Sequence, residues 1–201
     1  MNATPEAAAS SSVEARKRHM LESALTVFAR HGYRKASMDD VAQAAEVSRQ
    51  GLYLHFPTKE DLFRETVRHS LRQAQVAVEA ALLDGSVPLE DRLVRAFDAW
   101  IGQFVEAMGA DVDDLVNACR TLLGETVDEA KHQFEGRISD LIGSSGVAAA
   151  YRKRGLTADQ LASTLCATAE GLKCIHSSRR AFVDGMRIAV DALCLPAAGR
   201  R

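Results

Sequence analysis

Arg49, Gln50, Tyr53 and His55 stand within the seven residues "RQGLYLH", separated by Gly51, Leu52 and Leu54. These types in this order make neither a nucleophile and its base nor a metal cluster. What they share is hydrogen-bonding capacity on side chains that reach well beyond a backbone. Arg and Gln pair in two-pronged fashion with purine edges, while a tyrosine hydroxyl or a histidine ring can reach phosphate oxygens. Gly51 allows close approach of the backbone to a partner. At 3.6 residues per turn, Leu52 and Phe56 fall on one side of a short helix and Arg49, Gln50 and Tyr53 on the other. The chemistry this points to is non-covalent reading of a polyanionic duplex.

Such a helix is marginal alone and needs neighbours to hold it. The sequence supplies them on both sides. Residues 13–30 read as an amphipathic helix through Leu21, Ala24, Leu25 and Phe28, with Gly32 as its stop. Ser37 stands where a helix cap belongs, with Asp40 three residues on, ahead of an apolar face of Met38, Val41, Ala42 and Ala45. Ser48 caps the next start, where Val47 can staple to Leu52. Pro57 ends that helix, and Thr58 with Asp61 opens a long one reaching about residue 83. Helix, tight turn and short second helix make a helix-turn-helix, whose second helix enters a major groove. Ser37 and Lys59 lie at helix N-termini, where free N–H groups attract phosphate.

Charge follows the same division. Residues 13–59 carry eight Lys/Arg against five Asp/Glu, whereas the remainder carries 17 against 22. A basic amino-terminal unit on an acidic remainder suits a nucleic-acid partner. "MNATPEAAASSS" has no apolar core, and no run of about 18 apolar residues occurs, so a soluble, cytoplasmic protein with no membrane partner is expected. The four cysteines, Cys119, Cys166, Cys174 and Cys194, are scattered and read as buried thiols.

The organisation expected is a disordered tail over 1–12, a helix-turn-helix domain over 13–60 and a helical domain over 61–201. The fold class is all-α. Beyond "DGSVP" the pattern is helical, with Leu93, Phe97, Trp100, Ile101, Phe104 and Met108 on one stripe. Further helices are expected over 113–123, 125–154, 157–176 and 178–195, broken at "MGAD" and "KRGLT".

The stretch "ALTVFARHGYRKASMDDVAQAAEVSRQGLYLHFPTKEDLF" resembles the amino-terminal domain of the tetracycline repressor (TetR) family of bacterial transcription regulators. The likeness is carried by Phe28 with Gly32, by Ser37, Val41, Ala42, Ala45, Val47 and Ser48, and by Leu52, Tyr53, Phe56, Lys59 and Leu62 at the family's spacing. By position the resemblance assigns DNA contacts to Ser37, Ser48, Arg49, Gln50, Gly51, Tyr53, His55 and Lys59. Leu54 departs from the polar or aromatic residue common there. The resemblance implies a sequence-specific regulator that binds a double-stranded operator and a small-molecule effector. The mechanism expected is a two-state repressor released from a palindromic operator by a small apolar effector.

One helix-turn-helix reads half a palindrome, so two copies are needed one duplex turn apart. The resemblance implies that the last two helices pair with their copies in a homodimer. Candidates are Leu161, Leu165, Thr168 and Leu172 on the first, with Phe182, Met186, Ala189 and Leu193 on the second. The middle helices would then hold an apolar effector, with Phe97, Trp100, Phe104, Cys119 and Phe134 as lining and Gln103, Asn117 or Arg120 as polar selectors. Ordinary core packing explains each of these aromatics equally well. No cofactor is expected. Two other readings remain open at this point. One is a protein-interaction module using the helix-turn-helix as scaffold. The other is a helical enzyme, for which only His132 with Glu129 and Glu135 offers a metal spacing, and a solvated charged face accounts for those.

Overall fold

Caps and glycines punctuate the chain where local chemistry requires. The computed structural model describes the backbone of residues 5–105 and 112–198, with side chains over 13–105 and 113–195. Helix α1 runs Pro5–Lys35, interrupted at Gly32 (φ 76°, ψ 170°), a conformation essentially restricted to glycine. The tail expected over 1–12 therefore lies outside the described residues at 1–4 and is helical backbone from Pro5. Helices α2 (Met38–Ala44), α3 (Arg49–His55) and α4 (Lys59–Leu83) follow. Then come α5 (Leu89–Phe97), a π-helical turn (Asp98–Gly102), α6 (Gln103–Val105), α7 (Val112–Gly143), α8 (Gly146–Arg152), α9 (Ala158–Ile175) and α10 (Arg179–Ala198). Among the described residues there is no strand, and the fold is all-α.

Two sequence expectations shift. The helix expected over 125–154 breaks at residues 144–145 instead, where the Ser145 hydroxyl accepts the Val147 N–H and starts α8. The break expected at residue 124 survives only as a kink at Leu123 (φ −144°) within α7. Met108 and the "MGAD" break lie outside the described residues.

The chain divides into two compact units. The first comprises residues 1–72 with 107–124, and the second residues 73–106 with 125–201. The first thus extends past residue 60, because Leu62, Phe63 and Thr66 of α4 are buried in its core. Phe28 meets Phe63 edge-on at 5.1 Å, and Tyr33 lies 4.8 Å from Phe63. In the second unit α5, α9 and α10 surround Leu93, Phe97, Leu165, Phe182 and Met186, all essentially inaccessible. Gly185 lets α9 and α10 close up, since a Cβ there would sit 2.8 Å from a Leu172 methyl. Two ion pairs pin α10 to this unit: Arg179 grips Asp98 with two bonds of 2.7 and 2.8 Å, and Arg187 meets Asp91 at 2.7 Å.

Candidate nucleic-acid interface

The turn between α2 and α3 is built from the backbone. Glu46 takes the left-handed conformation (φ 53°) just after α2. Its N–H donates to the Gln43 carbonyl, and that of Val47 donates to Ala42. This is a Schellman closure with glutamate where glycine is usual. Ahead of it, Ser37 and Asp40 cap each other reciprocally: the Ser37 N–H donates to the Asp40 carboxylate at 2.9 Å, and the Asp40 N–H donates to the Ser37 hydroxyl at 3.2 Å. The Ser37 hydroxyl and N–H hold the Asp40 carboxyl below its ordinary range. Ser48 receives the Gly51 N–H at 3.0 Å and so launches α3.

With Leu52 and Phe56 sealed inside, α3 turns Arg49, Gln50, Tyr53 and Leu54 outward. Arg49 is not loose. Its guanidinium donates to Asp39 at 2.9 Å and lies 5.5 Å from the centre of the Tyr53 ring. Its hydrogen bond with Tyr53, and then the Asp39 charge, keep it still more firmly protonated. The pair pre-shapes a donor while leaving the amide of Gln50 exposed beside it. His55, in the last turn of α3, is half-buried against Phe56.

Lys59 departs from its expected place toward phosphate. Its ammonium donates to the carbonyls of Tyr33, Arg34 and Ala36 at 3.0, 3.2 and 3.0 Å, and stands 4.7 Å from the Tyr33 ring centre. The end of α1 leaves carbonyls without helical partners, and an ammonium is the natural donor for them. The same turn is held from another side, where Asp114 accepts the Arg34 N–H at 2.7 Å and pairs with its guanidinium at 3.2 Å. Burial, and then the Glu60 charge, raise the nearby Tyr33 hydroxyl above its ordinary value. Asp39 and Asp114 were not singled out from the sequence. Asp39, ten residues before Arg49, could have been found by asking which acid faces α3. Asp114, eighty residues from Arg34, carries no local signal.

The candidate effector residues separate. Phe134 packs edge-on against Phe97 at 5.2 Å and stacks on Trp100 at 4.9 Å. The void beside Trp100 and Phe134 measures about 10 Å³, room for one water. These rings fill the core of the second unit. Gln103 donates its amide to the Ala99 carbonyl at 2.6 Å, Phe104 is half-buried, and Cys119 belongs to the first unit. Asn117 and Arg120 are exposed.

The dimer candidates also need correction. Leu161, Leu165, Phe182, Met186 and Leu193 are buried in the core of their own protomer. Only Thr168, Leu172 and Ala189 are half-buried, and Leu172 packs on Gly185. A stripe at helical spacing looks the same whether it faces its own core or a partner's. The faces left open carry Ala167, Gly171 and Ile175 on α9 and Ile188, Ala192 and Leu195 on α10. Between them lies a hollow of about 470 Å³ lined by Thr164, Thr168, Ala189 and Ala192. Burial pushes the Cys166 thiol up to about 12 and that of Cys194 to about 11, so both stay protonated. His132 donates from Nδ1 to the Asp128 carbonyl (2.7 Å), and among the described residues it joins no acidic cluster fit for a metal. Among the described residues no helix is long and apolar enough to cross a membrane.

Residues 20–66 match the family model described as bacterial regulatory proteins, tetR family. The chain is 27% identical over 161 residues to the HTH-type transcriptional repressor DhaR of Mycobacterium sp. (strain GP1), covering 77% of this chain and 79% of that protein. It is 43% identical over 58 residues to the HTH-type transcriptional regulator LuxR of Vibrio harveyi, spanning 29% of this chain but only 28% of that one. In structure it is similar to a putative transcriptional regulator from Saccharomonospora viridis in complex with choline. That likeness has a TM-score of 0.67 at 25% identity and covers 91% of this chain and 96% of that one.

Proposed function

The chain belongs to the TetR family of bacterial transcription regulators and binds DNA through its helix-turn-helix, and from that premise we propose that it is a homodimeric repressor released from a palindromic operator by a small apolar effector. The observation that carries the reading is the outward face of α3, where Arg49, Gln50 and Tyr53 stand exposed over a back sealed by Leu52 and Phe56. Arg49 and Gln50 read base edges. Tyr53, with Ser37, Ser48, the Gly51 backbone and His55, contacts the sugar–phosphate strand. Lys59 acts through position, holding the start of α4 against the end of α1.

Dimerisation uses the open faces of α9 and α10. Ile175, Ile188 and Leu195 supply the apolar contact, and Ala167, Gly171 and Ala192 let helices approach closely. Effector release begins at Phe134 of α7, stacked on Trp100. A ligand that opens the Phe97–Trp100–Phe134 stack lowers operator affinity. Full switching takes about 5.5 kcal/mol of differential effector affinity between the two states. Aromatic faces also accept quaternary ammonium groups, so an effector screen begins with choline, the ligand of the solved relative, beside apolar compounds. The site of action is the cytoplasm, with no enzymatic step.

Protection mapping of DNA flanking the gene, with and without effectors, tests this. The expected result is a palindromic footprint with half-sites about one duplex turn apart, lost on adding effector. A footprint of one half-site, or none, overturns the dimeric reading.

A further inference from the structure

Leu54 is 80% exposed, the most open large apolar side chain among the described residues, and it sits near the end of α3. Single exposed leucines are ordinary on protein surfaces, so its setting matters more than its exposure. Leu52 and Phe56 already anchor α3 completely, and Leu54 adds nothing to that packing. One turn earlier, on the same helical face, stands the exposed amide of Gln50, flanked by the Arg49–Tyr53 stack. An apolar side chain is thus set into a surface otherwise made of donors.

The major groove offers such a side chain one apolar partner, the 5-methyl group of thymine, and an adenine edge suits the neighbouring Gln50. We propose that Leu54 is a specificity-determining residue that packs on the methyl group of one thymine in each operator half-site. This rests on the reading of α3 as the groove-entering helix. It makes T·A steps beside the Gln50 contact part of the recognised sequence.

The test uses the full chain and a duplex operator obtained by selection from random sequence. Each symmetric pair of thymines is replaced by deoxyuridine, which removes the methyl group and keeps every hydrogen bond. For the wild type, one pair should cost about fourfold in affinity per methyl, roughly fifteenfold for both half-sites. Leu54→Ala should bring that pair's penalty close to onefold and leave all others unchanged. Leu54→Gln, of similar length and polar, should do the same and guards against an altered helix. Both variants should melt with the wild type, since the side chain is open to water. The inference is overturned if no thymine pair is sensitive to methyl loss, or if a sensitive pair keeps its full penalty in both variants. A wild-type chain that selects no duplex sequence would instead overturn the proposed function and take this inference with it.

Discussion

Replacing Lys59 by methionine separates a positioning lysine from a phosphate-binding one. Methionine keeps most of the side chain's length and bulk and removes only the charged donor. The structure assigns that donor three carbonyl acceptors, two of them partly buried. A bond from a charged donor contributes about 1.5–3 kcal/mol, but water can re-satisfy an exposed carbonyl such as that of Arg34. Loss of the Tyr33 ring contact adds about 0.5–1 kcal/mol. Because the three bonds share one ammonium their losses do not add, and we expect a total destabilisation of about 2–3 kcal/mol. That corresponds to a fall of roughly 5–10 °C in the melting temperature at about 2–4 °C per kcal/mol. The second measurement is operator affinity against salt concentration. A carbonyl-bound ammonium releases no DNA counterions, so the slope should match the wild type even as affinity falls. A phosphate ligand would instead lower the slope by about 0.9 per contact. Wild-type stability together with a shallower slope would refute the positioning role.

Three further outcomes follow from local geometry. Asp39→Asn frees Arg49 from its 2.9 Å partner and removes a negative charge beside the duplex; non-specific binding should tighten and specificity narrow, read from competition with random-sequence DNA. Glu46→Gly relieves a left-handed glutamate and should raise stability by about 0.5–1 kcal/mol in urea unfolding, with operator affinity little changed. Among the described residues, His69 Nε2 is buried without a hydrogen-bond partner, with Glu22 4.0 Å away, and burial followed by the Arg72 charge lowers its pKa from 6.5. The unfolded chain therefore binds the proton first, so stability is lost as pH falls through 6.5 toward the lowered folded value. His69→Gln should flatten that part of the pH–stability profile.

The caps show most clearly what was readable in advance. Ser37 with Asp40, Ser48 with Gly51 and Thr58 with Asp61 all close as their spacing implies. Each spans three residues, and backbone geometry fixes what lies three residues away on a starting helix. The same locality made the helix-turn-helix and its outward residues legible: the burial of Leu52 and Phe56 and the exposure of Arg49, Gln50 and Tyr53 follow from helical period alone. The candidate effector and dimer residues fared less well for the converse reason. Phe97, Phe182 and Met186 have the right period but could face any apolar partner, and they face their own core.

The amino-acid sequence by itself determined the helices, their caps and the exposed face of α3, because these depend on bonds and periodicities a few residues long. Only the tertiary structure decided that Lys59 serves the end of α1, that Asp114 reaches Arg34 and that Asp39 restrains Arg49. Those contacts join residues 23, 80 and 10 apart, each across a turn or kink. Which charge meets which across a turn is set by packed helices, through the burial of carbonyls and rings that no spacing in the chain records.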